Sequence, residues 1–200
     1  MKNGLFKRGY LSKFIFVSSI LMTFGLTSGA WANELQLWSK IKSGGHIVLM
    51  RHALAPGFGD PDGFTLGDCS TQRVLSETGR QQATQIGERF RANGIAEASV
   101  YSSPWCRCVD TAELLKLGKV TQSLNFASTF QQNLDGNPAR NVAAVKQWIT
   151  GLDTSKPTVI VTHQVNITAL TGQYSSSGEM VVVRVNGDSL VPVGTIETAP

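Results

Sequence analysis

Short apolar runs alternate with amphipathic stretches along the chain, and this pattern predicts strands that alternate with helices. The runs at 47–50 and 158–162 are short and almost entirely apolar, which is typical of strands buried on both faces of a sheet. Further strands are predicted at 99–102, 180–185 and 189–193. Strands alternating with helices indicate an α/β sandwich in which one sheet lies between helices.

The helices are predicted from apolar residues at three- and four-residue spacing. Ala83, Ile86 and Phe90 follow Ser76, which is a favourable N-cap, and Asn93-Gly94 is a favourable helix end. A second helix is expected to take Ser103 as its N-cap, with Pro104 as its first residue, and to stop near Gly118. Other helices are predicted at 35–43, 141–149 and 167–170.

Residues 1–32 have the order of a secretory signal peptide. Basic residues precede an apolar run at 14–26, and small residues end in Ala30-Trp31-Ala32, so cleavage is expected before Asn33. The alternative is a membrane anchor, but the apolar run is shorter than the ~20 residues of a spanning helix. We therefore expect a periplasmic or secreted protein, with residues 33–200 as a single domain and no stable membrane anchoring after cleavage.

Removal of this segment changes how the charge is interpreted. The whole chain has 18 Lys and Arg against 14 Asp and Glu, and Lys2, Lys7, Arg8 and Lys13 account for the excess. The part from residue 33 onward is balanced, so the basic isoelectric point gives no evidence for binding to nucleic acid or to a membrane surface. Binding of a strong anion would require a local cluster of cations.

Three cysteines, Cys69, Cys106 and Cys108, remain in the expected mature chain. An oxidising compartment favours one disulfide and one free thiol. Cys106 and Cys108 are two residues apart on a predicted helix and point in different directions, so Cys69 is expected to pair with one of them. A metal site is the competing interpretation, but the chain has neither C-x-x-C nor a nearby pair of histidines.

Residues with special chemistry follow three of the predicted strands. Arg51 and His52 follow the first, Arg107 lies in the helix after the second, and His163 follows the strand at 158–162. Ligands of open α/β sheets bind beyond the carboxyl ends of the strands, so these groups are expected to meet in one crevice. His46, at the start of a strand, is interpreted as structural.

The chemistry of these residue types suits a phosphoryl group. A cation in the first turn of a helix opposes the helix dipole unless an anion lies there, and arginine can grip two phosphate oxygens. The alternative for Arg107 is a solvated surface arginine. Arg51 disfavours protonation of His52, and a neutral imidazole is a competent nucleophile toward phosphorus. His163 could then stabilise charge on the phosphoryl oxygens.

Four segments in order resemble the histidine phosphatase superfamily, also called the phosphoglycerate-mutase-like or RHG family. They are RHA at 51–53, RVLSETGRQQA at 73–83, SSPWCRCVDTAELL at 102–115 and THQ at 162–164. The resemblance implies a three-layer α/β/α sandwich with a mixed, mostly parallel sheet. It also implies that His52 becomes phosphorylated, that Arg51, Arg107 and His163 hold the phosphoryl group, and that neither a metal nor an organic cofactor is required.

The chain departs from the family pattern at the proton donor. Ala53 replaces the usual glycine, Gln164 stands where one branch has its acidic donor, and 124–134 lacks the glutamate of the other branch. Glu179 and Asp135 are the candidate replacements, although each is better explained as a surface carboxylate. A general acid contributes about 10²–10⁴-fold, so its absence favours substrates with good leaving groups, such as phosphohistidine or acyl phosphates.

The resemblance implies an exported phosphatase that acts on a small phosphorylated substrate through a phosphohistidine on His52. One alternative is a degenerate module that binds phosphate or a phosphoprotein without turnover, and another is a protein-phosphohistidine phosphatase in signalling. Substrate choice is expected to lie in 53–72 and 119–137, where the pattern identifies no substrate. The loop residues Phe58, Phe64, Asp60, Asp62 and Asp68 indicate a mixed apolar and acidic rim.

Overall fold

Six strands form one mixed sheet, in the order β3-β2-β4-β1-β5-β6, in a computed structural model that describes residue 1 and residues 28–128 and 138–199. The strands are β1 (His46–Arg51), β2 (Ser99–Ser102), β3 (Val120–Gln122), β4 (Thr158–Thr162), β5 (Met180–Asn186) and β6 (Ser189–Ile196). Strands β3, β2, β4 and β1 are parallel to one another, whereas β5 pairs antiparallel with both β1 and β6. The predicted mixed, mostly parallel sheet is therefore confirmed.

Among the described residues, five helices cover the two faces of this sheet. They are α1 (Ser28–Lys42), α2 (Glu77–Ala92), α3 (Cys106–Leu114), α4 (Pro138–Thr150) and α5 (Gln164–Thr171). Val48 and Met50 pack with α1, α2 and α3 on one face, whereas Ile47 and Leu49 pack with α4 and α5 on the other. All four side chains have no exposed surface, which explains why β1 is apolar throughout rather than alternating. The sandwich thus has three layers, as predicted.

Most predicted elements appear with shifted ends. Ser76 caps α2, since its hydroxyl accepts a hydrogen bond from the Gly79 N–H at 3.0 Å. The hairpin of β5 and β6 is confirmed, with Gly187 at φ 56° in its turn. The edge strand β3 and two short 3-10 turns, Cys69–Thr71 and Leu124–Phe126, were not predicted. β3 is too short, and its side chains are too exposed, to show an apolar alternation.

The predicted start of α3 was wrong. The helix begins at Cys106, and Trp105 precedes it without a side-chain cap. Ser103 does not cap the helix because its hydroxyl lies 2.8 Å from His163 Nε2 instead. The side chain of Gln72 supplies the missing acceptor, 3.0 Å from the Cys106 N–H. A residue from a distant loop therefore does what the local sequence was expected to do.

The segment expected to be a signal peptide lies mostly outside the described residues. Helix α1 begins at Ser28, so it runs through the expected cleavage point before Asn33. Within the described part of the chain, no helix has both the length and the apolar character needed to span a membrane.

Candidate active site

The register of the parallel strands brings the predicted site residues to one edge of the sheet. Arg51 at the end of β1 is paired with Thr162 of β4, and Ser102 of β2 is paired with Val161. His52 and His163 are the next residues after their strands, and their ring centroids lie 5.7 Å apart. Adjacent parallel strands that end together thus place both imidazoles side by side.

His52 is held by the main chain around it. Its N–H donates to the Thr162 carbonyl at 3.0 Å, and its Nδ1 lies 2.8 Å from the Ala53 carbonyl. A carbonyl oxygen only accepts, so Nδ1 carries the proton and Nε2 keeps its lone pair. Burial lowers the pKa of His52 well below its usual value, and the guanidinium groups nearby lower it further. His52 is therefore a neutral imidazole with Nε2 available as a nucleophile.

His163 immediately precedes α5 and is supported by residues from the loop before α3. Its Nε2 lies 2.8 Å from Ser103 Oγ and 3.7 Å from Cys108 Sγ. The Trp105 indole packs edge-on against its ring, with centroids 5.4 Å apart. Burial lowers the pKa of His163 well below its usual value, and the neighbouring His52 and arginines act in the same direction. This ring is therefore also neutral.

Arg107 is buried at the start of α3, so the surface interpretation of this residue was wrong. Only 2 % of its side chain is exposed, and Nη1 lies 2.7 and 3.0 Å from the two carboxylate oxygens of Asp60. Asp60 therefore supplies a negative charge at the helix start. The sequence analysis had expected this charge to come only from a bound phosphate. The Nε of Arg107 is buried and has no partner in the described part of the chain.

Arg51 has the same pattern of one occupied and one unoccupied donor. Its Nη1 donates to the Ser175 carbonyl at 3.0 Å. Its Nε is buried and lacks a partner among the residues that the structure describes. Buried donors without partners are rare in proteins, and both of these belong to arginines that line one cavity.

One cavity of about 300 Å³ joins all four predicted site residues. It is lined by Arg51, His52, Arg107, His163, Arg73, Gly57, Phe58, Gly59, Ser128, Gln164 and Val165. The structure therefore brings together all four residues that were predicted to bind and transfer the phosphoryl group. None of the described lining residues is a carboxylate.

Arg73 also lines the cavity, and the sequence pattern did not single it out. Its Nε donates to the Gly59 carbonyl at 2.7 Å, and its Nη1 donates to the Ala55 carbonyl. Burial, followed by the charge of Arg107, lowers the pKa of Arg73 to about 10, so it stays charged at neutral pH. One signal could have identified it, since Arg73 is the only Lys or Arg between Arg51 and Arg80.

The two candidate proton donors do not lie in this cavity as far as the structure describes them. Glu179 lines a separate cavity, with Ser176 and Glu197, and its Oε2 accepts from the Ser176 N–H at 2.7 Å. The structure therefore gives no support to Glu179 as the replacement acid. Asp135 lies outside the described residues. The predicted acidic rim was also wrong for Asp60, whose side chain has no exposed surface.

A disulfide ties the long loop after His52 to the start of α3. Cys69 pairs with Cys106, which confirms the expected pairing and resolves its partner. Cys108 remains a buried free thiol, and burial raises its pKa to about 12. This thiol is therefore protonated at neutral pH, and its reactivity as a nucleophile is low.

Comparisons with known proteins agree with this geometry. Residues 47–129 match the family described as the histidine phosphatase superfamily, branch 1. No curated protein sequence matches this chain significantly.

Solved structures of similar fold match most of the chain at low identity. A phosphoserine phosphatase from Entamoeba histolytica, in complex with 3-phosphoglyceric acid, has a TM-score of 0.56 at 15% identity and covers 76% of this chain and 97% of its own. The protein histidine phosphatase SixA complexed with tungstate has a TM-score of 0.55 at 14% identity, covering 76% and 96%. YhfR from Bacillus stearothermophilus has a TM-score of 0.54 at 17% identity, covering 74% and 95%. In the sequence match over residues 47–129, in its fold and in its edge-of-sheet histidines, the chain is similar to the histidine phosphatase superfamily.

Proposed function

We propose that this protein is an exported phosphatase that hydrolyses a phosphomonoester, or another small phosphoryl compound, through a phosphohistidine on His52. The observation that carries the proposal is the cavity that His52 lines together with three arginines. Asp60 balances only one of these charges, so two positive charges remain. This excess matches the charge of a phosphate dianion.

The geometry supports a two-step transfer. In the first step, His52 Nε2 forms a bond to phosphorus while the bond to the leaving oxygen breaks. Arg51, Arg107 and His163 donate to the phosphoryl oxygens and stabilise the charge that they carry in the transition state. In the second step, water attacks phosphorus and the bond between phosphorus and His52 Nε2 breaks. This releases inorganic phosphate and regenerates the neutral imidazole.

Protonation of the leaving group is the step that limits the range of substrates. None of the described residues that line the cavity is a carboxylate, so the leaving group takes its proton from water or departs as an anion. Because a general acid is worth about 10²–10⁴-fold, we infer that substrates with stable leaving groups react fastest. Phosphohistidine, acyl phosphates and aryl phosphates belong to this class.

Export is part of the proposal and rests on two observations. The order of charge, apolar run and small residues in 1–32 is that of a secretory signal. The Cys69–Cys106 disulfide fits an oxidising compartment, such as the periplasm or the extracellular medium. Mass spectrometry of the protein from a periplasmic extract should find Asn33 as the N-terminus, and a cytosolic product that begins at Met1 would contradict export.

The test of the proposed reaction is to trap its intermediate. The purified protein is mixed rapidly with radiolabelled phenyl phosphate and quenched in base, in which phosphohistidine survives and phosphoserine does not. Label is expected on the peptide that contains His52, and none is expected in the His52→Asn variant. His46→Asn is the matched control, because the His46 ring hydrogen-bonds to the Gly44 carbonyl and the residue does not line the cavity. Turnover without a base-stable, His52-bound phosphoryl group would contradict the mechanism.

The second candidate is a phosphate- or phosphoprotein-binding module without turnover, which the absence of a carboxylate from the described cavity lining favours. It predicts that the protein and its His52→Asn variant bind phosphate but release none from any phosphomonoester, acyl phosphate or phosphohistidine. Preferential turnover of a phosphohistidine protein, with retention of residues 1–32 in the cytosol, would instead favour the signalling alternative.

A further inference from the structure

Asp60 lies at the centre of a buried network that joins three segments of the site. Its oxygens accept from Arg107 Nη1, from Trp105 Nε1 at 3.0 Å and from the Arg73 N–H at 2.9 Å. The carboxylate has no exposed surface. A single side chain from the loop after β1 therefore contacts the start of α3, the residue before it and the last part of its own loop.

This arrangement does not suit Asp60 as a proton donor. Asp60 is absent from the residues that line the cavity, and three N–H groups already occupy its two oxygens. An acid must reach the leaving oxygen within hydrogen-bond distance, either directly or through one water. Asp60 must therefore act through the residues that it contacts.

The most direct of these effects is on Arg107. Both carboxylate oxygens hold the same nitrogen, Nη1, which fixes the plane of the guanidinium and leaves Nε without a partner in the described chain. Without the carboxylate, the buried guanidinium would lose its counter-ion and could change its orientation by rotation about the side-chain bonds that precede it. A displacement of about 1 Å at such a contact can cost about 10²-fold in rate.

The second effect is on His163. Trp105, whose indole N–H is held by Asp60, packs edge-on against the His163 ring at 5.4 Å between centroids. Loss of the indole hydrogen bond would leave a buried donor unsatisfied and would loosen the wall behind His163. Asp60 thus contacts Arg107 directly and His163 through Trp105, and both of these groups line the cavity.

We propose that Asp60 is a positioning residue that fixes the orientation of Arg107, and through Trp105 the wall behind His163, toward the phosphoryl group. This inference rests on the proposed function, because orientation matters most for groups that bind the transition state. Replacing Asp60 with a neutral residue also makes the cavity wall more positive. Binding of an anion in the ground state should therefore persist while turnover falls.

The test compares Asp60→Asn with Asp188→Asn, which removes the same charge from the exposed β5–β6 turn at the opposite end of the sheet. For Asp60→Asn, kcat with p-nitrophenyl phosphate should fall about 10–100-fold, and the inhibition constant of inorganic phosphate should stay within about threefold or become smaller. Asp188→Asn should change neither. Asp60→Glu keeps the charge but moves it by one methylene, and its kcat should still fall about tenfold if Asp60→Asn does not fold.

Two kinetic outcomes would overturn the inference. One is an unchanged kcat in a folded Asp60 variant, checked by circular dichroism. The other is a rise in the phosphate inhibition constant in proportion to the loss of kcat, which would show that Asp60 only assembles the binding pocket.

A spectroscopic readout separates this inference from the proposed function. The Nε–H resonance of Arg107, assigned by its loss in Arg107→Lys, should be sharp in the unaltered protein and broadened or shifted in Asp60→Asn, with inorganic phosphate bound in both. If the unaltered protein shows no turnover, the proposed function fails, and this resonance still tests Asp60. An unchanged resonance would overturn the inference.

Discussion

His52 and His163 follow neighbouring parallel strands in register, yet the chain supports them in different ways. His52 opens a loop that runs to α2, and this loop returns to the site through Asp60, Arg73 and the Cys69–Cys106 bond. His163 leads directly into α5, and its ring contacts Ser103 and Trp105. Strand register places both rings, whereas a long cross-linked loop completes the His52 side and side chains from the segment before α3 complete the His163 side.

Replacement of either histidine should have the largest effect on kcat, and the two losses should separate the chemical roles of the two rings. His52→Asn should lower kcat by at least about 10⁴-fold, because it removes the nucleophile. His163→Asn should lower kcat by about 10²–10³-fold, as expected for one group that stabilises charge in the transition state. Stopped-flow measurements with an aryl phosphate check both values.

The phosphoenzyme gives the control for this comparison. The His163→Asn variant should still form a base-stable phosphoryl group on His52, only more slowly, whereas His52→Asn should form none. If the phosphoryl group is found on His163 in the unaltered protein, the assignment of the two roles is reversed.

Breaking the disulfide should weaken the side of the site that belongs to His52. For a sequence separation of 37, the loop-entropy model gives about 4 kcal/mol of stabilisation. The Cys69→Ser/Cys106→Ser variant should therefore lose about 4 kcal/mol of unfolding free energy in urea, together with turnover. Cys108→Ala is the matched control, since it removes the free thiol and keeps the cross-link. A loss of similar size in Cys108→Ala would show that the cross-link is not the cause.

The two histidines should contribute alike to the dependence of stability on pH. Each has a folded-state pKa well below its unfolded value of about 6.5, so the unfolded chain binds protons first as the pH falls. Their contribution is complete above pH 6.5 and is lost below it, by about 1.4 kcal/mol per pH unit for each histidine until its folded pKa is reached.

Urea unfolding between about pH 5 and pH 7 measures this slope. His163→Gln should remove about half of the slope that the His52 and His163 rings contribute, and His46→Gln should leave this contribution unchanged. The same lowered pKa of His52 should keep the acid limb of kcat/KM well below pH 6.5. An acid limb near 6.5 with full stability would show that these rings titrate normally.

Removing the Ser103 hydroxyl should give the smallest effect, and it acts on the His163 side alone. Ser103→Ala leaves the ring packed against Trp105 but removes the 2.8 Å hydrogen bond to Nε2. We expect a loss of about tenfold in kcat, from one hydrogen bond of about 1–1.5 kcal/mol, with KM nearly unchanged. In a His163→Asn background, Ser103→Ala should have no further effect, and an additive effect would contradict this role.

Sequence reasoning was most reliable where a residue depends on its own segment. The apolar runs at 47–50 and 158–162 were enough to anticipate that His52 and His163 meet, because ligands of open α/β sheets bind beyond the carboxyl ends of the strands. The Ser76 cap and the β5–β6 turn were predicted for the same reason, since their hydrogen bonds are local. The catalytic roles of the four residues remain predictions until they are tested by substitution.

Sequence reasoning failed where a residue obtains its partner from a distant segment. Ser103 has a favourable capping sequence, but it turns to His163, and Gln72 caps α3 in its place. Asp60 was expected at an exposed rim, and it is instead the buried counter-ion of Arg107. A charged side chain in a loop is usually solvated, so no local pattern distinguishes this case.

The amino-acid sequence by itself therefore determined the order of most strands and helices, the edge at which two histidines and two arginines meet, and the resemblance to the histidine phosphatase superfamily. The tertiary structure alone decided that Arg73 joins them, that Cys69 pairs with Cys106, and that Asp60 rather than solvent balances Arg107. The physical reason is range. Periodicity and caps act over a few residues, whereas burial of a charge requires a partner that only the folded chain can bring within 3 Å.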